Sequence, residues 1–256
     1  MATIAQEPLV AAEKDRFYFC TAVAMAFVVV AGFTTQLVMG RSTFAVRPLV
    51  HVHAFVFMGW VALFVTQSWL ASRGSAAQHR QLGRIAAAWV PLMILMGFWL
   101  TIDVVQRGTA PFFFQPQHFL VANPIGVLCF GGVVAAAFRL RRRSDWRMRL
   151  QICAMAAIMG PAFGRLLPMP LLIPYAFQTA VLFGLLFPLT GALRDWQRDG
   201  HVHPAWWWGM LGVVAVIPIA QLVAFSSFGD ALYASVTAGH PGAAIPGLAF
   251  ASPPPM

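Results

Sequence analysis

Two histidines separated by one residue, His51 and His53, lie in an apolar run between Arg41 and Arg84. Ionisable side chains are costly in hydrocarbon, at roughly 2.5–3.5 kcal/mol for a charged residue at the centre of an inserted helix, so those that occur there tend to carry function. An imidazole in such a place can ligate haem iron, hold copper or zinc, or pass a proton. Residues two apart on a helix point about 200° apart. One of the pair is therefore expected to face the helix bundle, and the other a neighbouring helix or a polar cleft. The bland alternative is a hydrogen bond between helices.

Other polar residues are expected at the same end of the molecule. Arg47 precedes the pair by one helical turn. Asp103 is near the far end of the next apolar run. His118 opens another run, after Gln115 and Gln117. Arg165 closes the segment Gly160-Pro161-Ala162-Phe163-Gly164-Arg165, and Tyr175 follows Pro174. Together they suggest a polar cavity lined by Arg47, Asp103, Arg165 and Tyr175, with His51, His53 and His118 as cofactor or metal ligands. His51 or His53 paired with His118 from another helix could hold haem b axially. A transition metal ion is the other occupant, with Met39, Met58 or Met169 as soft partners. Against this, Arg47, Asp103 and Arg165 could be interfacial side chains reaching back to water.

The elements that must position these residues follow from composition. Of 256 residues, 59% are hydrophobic and 10% charged, against roughly 25% charged in soluble domains. Too few charges remain to cover a soluble surface, so the chain reads as an all-α, polytopic membrane bundle. Seven runs approach the ~20 residues needed to cross a bilayer: 17–39, 44–71, 82–105, 118–140, 146–167, 171–193 and 205–228. Residues 1–16 read as a short polar tail, 17–228 as the membrane domain, and 229–256 as a Gly/Ala/Pro-rich irregular tail. With the second span starting at residue 44, His51 and His53 lie roughly 10–14 Å along it.

Orientation follows from the arginines, since basic residues favour the cytoplasmic side. Arg73, Arg80 and Arg84 fall between spans 2 and 3. Arg139, Arg141, Arg142, Arg143, Arg147 and Arg149 fall between spans 4 and 5. Arg194 and Arg198 fall between spans 6 and 7, and Lys14 and Arg16 precede span 1; only Arg41, Arg47, Arg107 and Arg165 lie on the other side. Thirteen of the 17 basic residues thus place the N-terminus in the cytoplasm and the C-terminus outside. Trp69, Trp146, Trp196 and Trp206–Trp208 fall at the cytoplasmic interface, where indoles prefer to sit. The net charge of +9 reads as contact with anionic lipid, not with nucleic acid.

Several function classes lose a required residue. A retinal Schiff base needs a lysine in the bundle, and the one lysine, Lys14, is in the tail. Prenyl transfer needs clustered carboxylates for magnesium, and the predicted spans offer only Asp103. Cys20, Cys129 and Cys153 lie in apolar runs without a CxxC pair, which argues against a disulfide framework or a thiolate zinc site. His201 and His203 repeat the HVH pattern in a predicted loop, a chance echo. Pro124, Pro161, Pro174, Pro188 and Pro218 interrupt spans, which leaves transport open.

The combination Arg47-Pro48-x-x-His51-x-His53, Trp60, and His79-Arg80-x-Leu82-Gly83-Arg84 before a helix carrying Gly97 resembles an uncharacterised bacterial multi-pass membrane family. The His-Arg-x-Leu-Gly element is also similar to that of cytochrome b561-type membrane proteins. That second likeness implies haem b and electron transfer, although paired histidines on both sides of two helices are not present, which argues against two haems. The sequence expectation is a bacterial inner-membrane protein with an outward-facing histidine site, serving redox or sensing through haem or a metal. The alternatives are a transporter or accessory subunit with membrane-protein partners, or an enzyme acting on a quinone-like, lipid-soluble substrate.

Overall fold

The computed structural model describes residues 6–73 and 76–251. Among them there is no strand. The helices are α1 (Gln6–Val38), α2 (Pro48–Arg73), α3 (Ala76–Gln106), α4 (Pro116–Arg139), α5 (Ser144–Ala157), α6 (Gly160–Leu166), α7 (Ala176–Gly184), α8 (Leu186–Asp199), α9 (Pro204–Ala224) and α10 (Ser227–Thr237). Six stretches are long and apolar enough to cross a membrane: α1 from Arg16, α2, α3, α4, α7 with α8, and α9. The chain is a multi-pass membrane protein. Successive helices run back and forth between a basic end, where α4 meets α5 and α8 meets α9, and a histidine end, where α1 meets α2 and α3 meets α4.

Prolines set several boundaries. Pro48, Pro116 and Pro204 open α2, α4 and α9, where the missing N–H has no intrahelical partner to lose. Pro161 and Pro188 lie in the first turns of α6 and α8 and also end the helices before them. Each ring collides with the carbonyl four residues earlier and cannot donate to it. The predicted continuous spans 146–167 and 171–193 are accordingly broken, at Ile158–Met159 between α5 and α6 and at Leu185 between α7 and α8. Gly200, at φ +70°, ends α8 in the left-handed region that glycine tolerates.

A weakly apolar helix lies at the centre. α5 packs against α1, α4, α7, α8 and α9, and Ile152, Cys153, Ala154, Met155 and Ala156 are all at most 2% exposed. Its continuation, α6, packs against α1 and α7. Close approach to this spine depends on small residues. A Cβ on Gly32 of α1 would sit 2.7 Å from the Ala162 carbonyl oxygen, and one on Gly184 of α7 would sit 2.7 Å from that of Ala156. Small residues at such seams let helix backbones approach where lipid supplies no hydrophobic drive. On the other side of the core Trp60 of α2 meets Phe130 of α4 edge-on, with centroids 5.0 Å apart.

Both tails depart from expectation. α1 begins at Gln6, so much of the predicted polar tail is helical. Residues from 229 onward were expected to be irregular, yet they build a folded cap. Ser226 caps α10, accepting from the Gly229 N–H at 3.3 Å. α10 then packs on α3, α4 and α9. The Tyr233 hydroxyl lies 2.9 Å from the Ile245 carbonyl and 3.1 Å from that of Gly242. The chain thereby turns back across the histidine end, where the Gln117 N–H donates to Gly247 O at 2.8 Å and Gln115 Nε2 to Leu248 O at 2.6 Å.

Candidate functional site

At the histidine end a cleft of about 200 Å³ is lined by Phe113, Phe114, Gln115, His118, Pro174, Tyr175, Phe177, Gln178, Gln221, Phe225 and Phe250. His118 is 6% exposed. Proline at the start of α4 places it in the first turn. The edge of its ring meets Phe177 at 4.9 Å between centroids, and Phe225 lies 6.2 Å away. Among the described residues its Nε2 is buried without a hydrogen-bond partner, and so is Gln178 Oε1 on α7. A buried polar atom left unpaired costs about 1–3 kcal/mol. Two of them in one ring-lined space make it a candidate site, with hydrogen-bonding capacity that a water or a ligand would meet. Tyr175 and Phe225, 66% and 52% exposed, stand at its mouth.

Of the expected site residues, only His118 and Tyr175 reach this cleft. His51 is exposed, and its Nε2 lies 3.1 Å from the Phe44 carbonyl oxygen. His53 turns inward and stacks on Phe57, at 4.2 Å and 24° between ring planes, leaving its Nδ1 buried and unpartnered. The two point different ways, but His51 is exposed where a neighbouring helix or a polar cleft was expected. The three histidines do not gather. Among the described residues no group of three or more histidine, cysteine or carboxylate side chains is placed to hold a metal ion. At about 200 Å³ the cleft is comparable in size to the ~150 Å³ cavity that admits benzene. It is too small for a haem macrocycle as it stands.

The remaining predicted lining residues form separate contacts. Arg47 and Asp103 make a bidentate pair, with Arg47 Nη1 donating to Oδ1 at 2.6 Å and Nη2 to Oδ2. Arg107 Nε also donates to Asp103 Oδ1, at 3.1 Å. The Asp103 hydrogen bond raises the Arg47 pKa above its ordinary value. This triad ties the segment before α2 to the end of α3, the fork geometry that arginine favours with carboxylates. Arg165 lies over the Phe33 ring at 4.1 Å and donates from Nη1 to the Pro161 carbonyl at 2.8 Å. Gln36 Nε2 donates to the Arg165 carbonyl at 2.7 Å, joining α1 to α6. Arg47, Asp103 and Arg165 therefore hold helices together and do not line the cleft.

A second polar centre lies at the basic end, where arginine placement alone suggested only loops. Arg149 and Asp195 are each 4% exposed by side chain. Arg149 Nε donates to Asp195 Oδ2 at 2.6 Å, and Trp206 Nε1 to the same oxygen at 2.7 Å. Arg149 Nη1 donates to the Asp145 carbonyl at 2.9 Å. His203 closes the same end. Its Nδ1 accepts from the Ala205 N–H at 3.1 Å, so the proton on Nε2 can point to Asp145 Oδ2, 2.9 Å away. Arg149 is thus a core residue of α5, not a loop anchor. Trp206 is 0% exposed, while Trp207 and Trp208 keep the interfacial exposure expected of all three.

No protein-family model, curated protein or solved structure matches the chain.

Proposed function

We propose that this protein binds a flat, ring-bearing, membrane-partitioning ligand of quinone type at His118 and serves redox or sensing there. The observation that carries the reading is the buried, unpartnered Nε2 of His118 in a cleft lined by six aromatic rings. Rings prefer offset or edge contacts with other rings, and a neutral imidazole nitrogen supplies one directional hydrogen bond to a ring substituent. Tyr175 and Phe225 at the mouth would admit a ligand dissolved in the membrane.

The wider setting belongs to the same proposal. α5 and α6 together make a seventh crossing, too interrupted to stand as a membrane-length helix but shielded from lipid by the others. Thirteen of the 17 basic residues favour a cytoplasmic basic end. The histidine end then faces outward from a bacterial inner membrane. The same nitrogen lone pair favours a second reading, in which His118 ligates a haem or metal ion and the cleft widens to take it. Transport, or service as an accessory subunit, is the remaining alternative.

The test is direct. Purified protein is titrated with a short-tailed benzoquinone, following thermal stability and ligand retention. The proposal expects saturable binding that His118→Ala weakens at least ten-fold. A Soret band in the isolated protein would select the haem reading. Substrate-driven uptake into vesicles, with no quinone binding, would select transport.

A further inference from the structure

A second crevice, about 490 Å³, shares no lining residue with the cleft and lies along the flank of α1 and α8. Its walls are Phe19, Cys20, Val23, Ala24, Phe27, Val28 and Phe187. It arises because α1 and α8 each lean on the central α5 and leave a furrow between them. The furrow is apolar along its length and becomes basic at one end. On α1, Arg16 precedes Cys20, Val23, Ala24 and Phe27 at helical spacings of four, seven, eight and eleven, which share one face. On α8, Arg194 lies two turns beyond Phe187, about 10 Å by helix rise. Arg194 reaches across to α1, its guanidinium 4.5 Å from the centre of the Phe17 ring. Arg198, one turn further along α8, and Arg16 are both exposed.

We propose that this furrow is a binding site for one anionic phospholipid, with an acyl chain along Phe19–Phe27 and Phe187 and its phosphate at Arg16, Arg194 and Arg198. The occupant follows from charge and shape together. An apolar trough in a membrane flank fits a hydrocarbon chain. Three arginines at its polar end discriminate an anionic head group from a zwitterionic one. The site is independent of the His118 cleft.

Cys20 lies in the furrow, is exposed, and reports on it directly. The full-length protein is placed in zwitterionic detergent or nanodiscs, and Cys20 alkylation by N-ethylmaleimide is timed. A Cys20→Ser variant supplies the background from Cys129 and Cys153. Phosphatidylglycerol is expected to slow Cys20 alkylation at least five-fold relative to phosphatidylcholine of the same chains. The triple change Arg16→Gln, Arg194→Gln, Arg198→Gln is expected to erase that difference, and Ala24→Trp to abolish protection by filling the trough. Native mass spectrometry is expected to retain one phosphatidylglycerol on the unmodified protein. Equal protection by both lipids, meaning annular lipid only, overturns the proposal, as does protection by inorganic phosphate alone. The wild-type comparison decides the question even if a variant fails to fold.

Discussion

The two polar centres of this bundle differ in how completely they are satisfied. Asp195 at the basic end receives hydrogen bonds from Arg149 and Trp206 through one oxygen, and Arg149 spends a further donor on the Asp145 carbonyl. His118 at the histidine end is nearly as buried but has no partner for Nε2 among the described residues. A closed network fixes helices in place, because breaking it strands a charge in a low-dielectric interior. An open one stores an unmet hydrogen bond that a ligand can supply. The contrast rests on hydrogen-bond satisfaction together with the ring-lined cleft, since Trp60 Nε1 and His53 Nδ1 are also buried without a partner among the described residues but do not line it.

Breaking the closed centre has the largest expected effect. Asp195→Ala leaves Arg149 buried without its carboxylate and should cost about 3–5 kcal/mol, read as a collapse of the thermal midpoint in detergent. Adding Arg149→Met to that variant should recover much of the loss, because the stranded charge is then gone. Trp206→Phe removes one donor and leaves a small cavity where the buried indole sat, and should cost about 2–3 kcal/mol by the same measurement. The open centre should behave in the opposite way. His118→Leu removes an unpaired polar atom, so stability without ligand should stay level or rise by up to about 1 kcal/mol while quinone-induced stabilisation disappears. A loss as large as that of Asp195→Ala would make His118 a scaffold residue and dissolve the contrast. The smallest effect belongs to Arg47→Ala. Arg107 still pairs with Asp103, so only a slight, salt-sensitive fall in the midpoint is expected.

Composition and span length made the all-helical membrane architecture legible, and His118 and Tyr175, singled out because polar groups at the head of an apolar run are rare, are the two expected residues that line the cleft. Arg149 and Asp195 were not. Each lies near a span end, where a basic or acidic residue is the ordinary boundary signal, and only packing on the central α5 turns them into a buried pair. Gln178 was missed because an amide inside an apolar helix carries no charge to flag it. The grouping of His51 and His53 with His118 failed for a geometric reason. α2 presents His51 outward and His53 to Phe57, while the cleft is built from α4, α7, α9 and the returning tail. That tail did carry a signal. Ser226 three residues before Gly229, then Phe228, Leu232 and Val236 four apart, is a capped amphipathic helix inside a stretch whose glycines and prolines suggested irregular structure.

The strap over the histidine end also bears on how the molecule is made. Phe113 and Phe250, two walls of the same cleft, are separated by more than half of the chain. The strap that carries Phe250 is held by Gln115 and Gln117, on and just before α4. Helices entering the membrane in chain order would therefore assemble every span before the cleft acquires its last wall. Ligand occupancy then becomes a marker of completed biogenesis: a chain that has inserted but not folded back should be stable enough to accumulate, and yet bind nothing.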